Sequence, residues 1–228
     1  MSVKGLLFDF NGTLFFDSEY HIKAFNQCFD KYGLKHQDRQ YIVENIFGRP
    51  NKTIFLEQFC PTATDTEIEK FENLKEQLYM DCCLKNPQSM KLCDGAQDLL
   101  DHLKKHSIPY CIATGSPLEN VKFYFEHLGL DRWFTLDNIV YTDGTFNGKP
   151  APDCYILAAK RLGLSPSECV VFEDGTSGIK AARASGASKV IAVWEKGLPS
   201  PLLDGVYADE KHHDLSDWCG ILSRLGIN

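Results

Sequence analysis

The chain has 228 residues with 24 basic and 31 acidic side chains, a net charge of −7, and 43% hydrophobic against 24% charged residues. This is enough apolar material for a sizeable core, which excludes wholesale disorder; no basic run exceeds the two residues of Lys104-Lys105, which gives neither nucleic acid nor an anionic membrane surface an electrostatic footprint. No apolar stretch nears the ~18 residues of a membrane span, the short run before Asp9 is no secretory signal, and nine cysteines with no CxxC pair point to free thiols in a reducing cytoplasm.

Leu6-Leu7-Phe8 reads as a short strand ending at Asp9. Asp17-Ser18 can cap a helix running to about Tyr32, and Thr64-Asp65-Thr66-Glu67 has the capping-box pattern that opens a helix to about Leu84. A helical period runs from Asp94 to Lys105, followed by a strand at Tyr110-Cys111-Ile112-Ala113. Pro117 to Leu128 and Pro152 to Leu162 are helices opened by proline. Cys169-Val170-Val171-Phe172 is a third strand, Thr176 to Ser185 an alanine-rich helix, and Val190-Ile191-Ala192-Val193 a fourth strand. Asp209 to Asp214 reads as a charged loop before a last helix, and Asp143-Gly144-Thr145 as a turn.

None of the four strand runs alternates polar with apolar, so both faces of the sheet are expected to be buried, as in a parallel sheet covered by helices. Alternating strand and helix predicts an α/β fold with a doubly wound, Rossmann-like parallel sheet. One connection is too long: about a hundred residues separate the first strand from the second, where a crossover needs roughly 30. The interval is nearly all helical. It predicts a discontinuous core, residues 1–16 and 89–228, interrupted by an inserted all-helical lobe, 17–88.

Ligands of open α/β sheets bind beyond the carboxyl ends of the strands. Three strands end there in reactive groups: Asp9, Thr114 and Glu173-Asp174. Three converging carboxylates repel unless a cation sits among them, and oxygen ligands suit Mg²⁺. Lys149 adds an opposing positive charge, so the group is suited to a phosphoryl ligand.

The segments Asp9-Phe10-Asn11-Gly12-Thr13, Ala113-Thr114-Gly115-Ser116, Gly148-Lys149-Pro150-Ala151-Pro152-Asp153 and Phe172-Glu173-Asp174-Gly175 occur in this order. Together they resemble the four signatures of the haloacid dehalogenase-like superfamily, and most nearly its β-phosphoglucomutase-like branch with a helical cap. The resemblance implies that Asp9 is a nucleophile forming an aspartyl-phosphate. It implies that Mg²⁺ is held by Asp9, the backbone carbonyl of Asn11 and Asp174, with Glu173 as ligand or support. Thr114, with the backbone around Gly115 and Ser116, would bind the phosphoryl group, and Lys149 would hold it against Asp9.

At the position of Asn11 most such phosphatases and mutases carry a second aspartate that protonates the leaving group. Three readings stand open: an enzyme that is slow or takes substrates with better leaving groups, a substitution made to trap a complex, and a weakened phosphate-binding protein. Asn11 precedes Gly12, a pair prone to deamidation, which would restore a carboxylate. In the cap, the resemblance points to His21, the loop Gly48-Arg49-Pro50-Asn51, and Lys75 as substrate-facing residues. The alternatives are a solvated helix face for Lys75 and a surface role for Arg49. The expected function is Mg²⁺-dependent hydrolysis of a small phosphorylated metabolite, sugar-phosphate-like, by a monomer. A sugar phosphomutase and a catalytically impaired phosphate binder are the alternatives.

Overall fold

In the computed structural model, which describes residues 2–202 and 205–227, the apolar runs assemble into one six-stranded sheet in the order β3-β2-β1-β4-β5-β6. The strands are β1 (Gly5–Phe8), β2 (Tyr110–Pro117), β3 (Ile139–Thr142), β4 (Cys169–Glu173), β5 (Lys189–Val193) and β6 (Glu210–His212). Every pairing is parallel. Strand β1 lies between β2 and β4, with Leu7 opposite both Cys111 and Val171.

Both sheet faces are buried, which is why the strand sequences lack alternation. On one face Leu7, Cys111, Val171 and Val190 cluster with residues of α7 (Asp153–Arg161) and α8 (Thr176–Ala184). Leu6, Phe8, Ile112 and Phe172 point the opposite way and are equally buried, with Phe8 and Phe172 stacked at 4.8 Å. Helices α5 (Ala96–Lys105), α6 (Leu118–Leu128) and α9 (Trp218–Leu225) complete this unit. Cys111 and Cys169 are fully buried and act as small apolar residues, and the nine cysteines are all free. Among the described residues no helix is long and apolar enough to cross a membrane.

The chain forms two compact units, Met1–Phe16 with Lys91–Asn228, and Asp17–Met90. The second is all helical: α1 (Ser18–Lys31), α2 (Arg39–Asn45), α3 (Asn51–Gln58) and α4 (Asp65–Leu84). Its centre is aromatic, with Phe55 stacked on Phe71 at 4.5 Å and Phe29 on Phe59 at 4.7 Å.

Two elements differ from the sequence reading. The charged stretch read as a loop contains β6, an edge strand paired through Ile191 and Glu210; Lys211 is exposed, as edge strands tolerate, while Glu210 is partly buried and pairs with His212 and Arg224. Strand β3 went unread because only Ile139 and Val140 are buried apolar residues there. Helix α4 does begin with the expected reciprocal capping box between Thr64 and Glu67. Asp17, by contrast, gives α1 no side-chain cap; its carboxylate accepts from Tyr79 at 2.6 Å instead.

Candidate active site

The chain leaves β1 at Phe8 and enters a tight loop whose hub is the Phe10 carbonyl, which accepts from the N–H groups of Leu14 and Phe15 at 2.9 and 3.0 Å. This turn presents Asp9 and Asn11 beyond the sheet. Gly12 has φ +77°, a conformation glycine adopts without a Cβ penalty. Because β1 sits between β2 and β4, Asp9, Thr114 and Glu173 emerge side by side from three neighbouring strands. Asp9, Thr114 and Glu173 are all buried.

The centre of the site is Lys149, which reaches it from the loop ahead of α7, next to a cis peptide bond to Pro150. Its Nζ donates to Asp9 Oδ1 at 2.5 Å and to Glu173 Oε1 at 2.6 Å. Glu173 is held from three sides. Tyr155 donates to its Oε1 at 3.0 Å, and the Gly175 N–H donates to Oε2 at 2.7 Å. Asp174, one residue further, takes a weak bond from Thr13 Oγ1 at 3.4 Å. Oxygen atoms of Asp9, Glu173 and Asp174 all lie within 4.8 Å of one another.

One lysine charge among three carboxylates leaves the cluster negative. Burial pushes the Asp9 carboxyl up to about 7, against the pull of Lys149. Burial alone would lower Lys149, but the facing Asp9 and Glu173 carboxylates hold it well above the ordinary lysine value. A divalent cation relieves such a cluster, and a hard oxygen donor set suits Mg²⁺. The residues present therefore fit that ion, with Asp9 and Asp174 as its carboxylate donors and both Glu173 oxygens engaged by Lys149, Tyr155 and the Gly175 N–H.

Asn11 is held at both ends of its amide. Ser116 Oγ donates to Asn11 Oδ1 at 2.8 Å, and Asn11 Nδ2 donates to Tyr124 Oη at 2.9 Å. The Ser116 N–H donates to Thr114 Oγ1 at 3.1 Å, so the Thr114 hydroxyl keeps its own hydrogen for another acceptor. The carbonyl of Gly115 accepts from Thr142 at 3.0 Å. Thus Asp9, Lys149 and Glu173 form one bonded set and Asn11, Ser116 and Thr114 another, with Asp174 within 4.8 Å of Asp9 and Glu173.

Sequence reading missed Thr13, Tyr124 and Tyr155. Thr13 lies inside the quoted Asp9 segment and was legible there; the two tyrosines sit on α6 and within α7 with no local pattern to mark them.

The cap residues lie in the other unit. Lys75 is buried rather than on a solvated face, paired with Glu76 at 2.8 Å and 5.4 Å from the rings of Phe25 and Tyr79. Asn51 donates to the same Glu76 oxygen at 2.9 Å. His21 stacks on Tyr79 at 4.2 Å, with Nε2 3.2 Å from Asp17. Gly48 turns the loop with φ +72°. Arg49 takes the surface role: it pairs with Glu57 at 2.5 Å and donates to the Asn45 carbonyl at 2.8 Å.

Comparison with known proteins adds four findings. A family profile described as haloacid dehalogenase-like hydrolase matches residues 3–186. The fructose-1-phosphate phosphatase YqaB of Escherichia coli is 32% identical over 186 residues, covering 82% of this chain and 94% of the relative. Among solved structures, a haloacid dehalogenase-type hydrolase from Entamoeba histolytica is 35% identical with a TM-score of 0.85, covering 95% of each chain. An aspartate-to-asparagine variant of CbbY from Rhodobacter sphaeroides, in complex with xylulose-1,5-bisphosphate, is 26% identical with a TM-score of 0.79, covering 94% of this chain and 96% of that one.

Proposed function

This chain belongs to the haloacid dehalogenase-like hydrolase family, and we propose that it is a Mg²⁺-dependent phosphatase, working as a monomer on a small phosphorylated metabolite through an aspartyl-phosphate on Asp9. The observation that carries this reading is the position of Lys149, 2.5 Å from Asp9 and 2.6 Å from Glu173, in a group whose remaining carboxylate is Asp174. A fructose-1-phosphate phosphatase among its relatives places sugar phosphates on the substrate panel beside activated phosphates.

Asp9, the Asn11 carbonyl and Asp174 would hold Mg²⁺. Bound there, the ion would offset charge on the phosphoryl oxygens. Glu173 acts through Lys149: with Tyr155 and the Gly175 N–H it fixes the carboxylate that aims the ammonium at Asp9. Lys149 occupies one oxygen of Asp9, and the other attacks phosphorus. The ester bond breaks with its electron pair on the leaving oxygen, while Thr114 and the lysine hold the transferring group. Water then attacks the same phosphorus, its proton passes to solvent, and the Asp9 carboxylate is restored.

Hydrolysis is favoured over phosphoryl transfer within a sugar because a mutase needs a second cationic grip on its bisphosphate. Arg49 is engaged by Glu57 and Asn45, and Asn51 by Glu76. Phosphate release from a panel of sugar phosphates and an activated aryl phosphate, with Mg²⁺ and with chelator, tests the proposal. Activity should require the metal, and Asp9→Ala should lower it by about 10³-fold or more. Undiminished hydrolysis by Asp9→Ala defeats the reading, as does isomerisation of a sugar phosphate with no net phosphate release.

A further inference from the structure

The amide at position 11 is bonded into the site through Ser116 and Tyr124. Spontaneous loss of the Asn11 amide requires the Gly12 backbone nitrogen to attack the Asn11 side-chain carbonyl carbon. That nitrogen instead donates its hydrogen to the Phe15 carbonyl at 2.7 Å, and Asn11 and Phe15 are bridged across the turn. The side-chain amide is bonded at both ends, to Ser116 and Tyr124. Folding therefore protects the residue as asparagine, against the deamidation that the Asn-Gly pair alone suggests.

An amide offers hydrogen bonds but neither yields nor takes a proton near neutral pH. The ester oxygen must therefore depart with its electron pair and no proton from Asn11. Alkoxides from ordinary alcohols are strong bases and depart slowly under that condition. Carboxylates, enolates and phenolates are weak bases and depart readily. A general acid or base is worth about 10²–10⁴ in rate, and in the first step that factor is withheld from strongly basic leaving groups.

We propose that Asn11, clamped between Ser116 and Tyr124, makes this phosphatase selective for phosphorylated metabolites whose leaving oxygen is weakly basic: acyl, enol or aryl phosphates rather than phosphates of ordinary alcohols. This rests on the reading of Asp9 as nucleophile. It carries a second consequence, because the water that cleaves the aspartyl-phosphate also meets no general base there. The phosphorylated form of Asp9 should accumulate when the first step is fast.

The experiment measures kcat/KM of the full chain, with saturating Mg²⁺, on acetyl phosphate, 4-nitrophenyl phosphate, phenyl phosphate and glycerol phosphate. Intact mass after an acid quench, with peptide mapping of residue 11, accompanies it. The parent should show a steep fall with leaving-group basicity and a one-phosphoryl mass gain on 4-nitrophenyl phosphate. Asn11→Asp should raise glycerol phosphate hydrolysis by about 10²–10⁴-fold, raise acetyl phosphate hydrolysis by less than about tenfold, and abolish the mass gain. Equal rates on all four probes, equal acceleration of all four by Asn11→Asp, or no turnover of any probe by the parent overturns the proposal. Should Asn11→Asp fail to fold, the slope and the mass gain of the parent decide alone. Asp9→Ala separates the two readings: if it retains activity the nucleophile assignment falls, whereas a dead Asp9→Ala beside a flat parent profile defeats only the selectivity.

Discussion

A methyl group added to Gly12 would sit 2.0 Å from Asp174 Oδ2, and one added to Gly178 would sit 1.5 Å from Glu173 Oε1. Neither neighbour is a free end of a long side chain: both carboxylates belong to the site. At Gly12 the positive φ adds strain of its own. Gly12→Ala is therefore expected to weaken Mg²⁺ binding and to lower kcat/KM on an activated phosphate by about 10²-fold, the usual result of an ångström-scale misplacement. Isothermal titration of Mg²⁺ into the parent and the variant checks it, and equal affinity would mean that Asp174 holds no metal. Gly178 gives a sharper test, because it lies inside α8, where alanine ordinarily stabilises a helix by about 1 kcal/mol. Here Gly178→Ala should lower the thermal midpoint instead, since the displaced Glu173 abandons Lys149. At this scale the sequence was most legible, because Asp9, Thr114, Lys149, Glu173 and Asp174 each sit at a predicted strand end or loop. Tyr124 and Tyr155 were not, because each joins the site by a side chain reaching from a helix whose pattern reports only burial.

Helix boundaries were readable where the cap chemistry is local, and less so where it depends on distant groups. The capping box at Thr64 involves residues three apart and could be found from the sequence. Asp17 was expected to cap α1, but its carboxylate goes to Tyr79, 62 residues away, a partner no local pattern discloses. The same holds for β6, whose Glu210 and His212 read as loop because an edge strand needs no apolar face. Packing within the cap unit yields a quantitative expectation. Phe71 is fully buried in α4 between Phe55 and Phe59, with ring centroids at 4.5 and 4.8 Å. Truncating such an aromatic side chain costs about 3–5 kcal/mol, so Phe71→Ala should shift the urea midpoint of the transition that reports the helical unit. A change below about 1 kcal/mol would show that the aromatic cluster is not closely packed. At the entry to β4, Glu168 pairs with Lys4 at 2.6 Å and accepts from Ser165 N and Oγ, contacts that hold its carboxyl down at about 2. A depressed carboxyl stabilises the fold above its unfolded value near 4.5, and that contribution fades as pH falls toward 2. Glu168→Gln should therefore be less stable than the parent at pH 7, with the difference narrowing below pH 4.5 in urea titrations.

The division into two units was legible from a single fact, the length of chain between the first and second strands. Strand order was not, since β1 pairs with both β2 and β4 and nothing in the runs themselves says which side each crossover takes. The manner of the insertion leads to a prediction about the whole molecule. The two chain segments that flank the helical unit are tied together within the core: the Cys93 N–H donates to the Leu14 carbonyl at 2.8 Å, and the Cys93 thiol to the Thr13 carbonyl at 3.3 Å. A short bridge can therefore replace the helical unit, because a Gly/Ser linker of six residues spans about 13 Å on average. The core keeps all six strands and all of Asp9, Thr114, Lys149, Glu173 and Asp174. A chain with residues 17–90 replaced by such a linker should fold cooperatively, retain the circular dichroism of a helix-flanked parallel sheet, and still hydrolyse a small activated phosphate. If the excised protein unfolds without a cooperative transition, the helical unit is part of the core's own stability rather than an addition to it. If it folds but is inert toward acetyl phosphate, the insertion supplies something the chemistry itself requires.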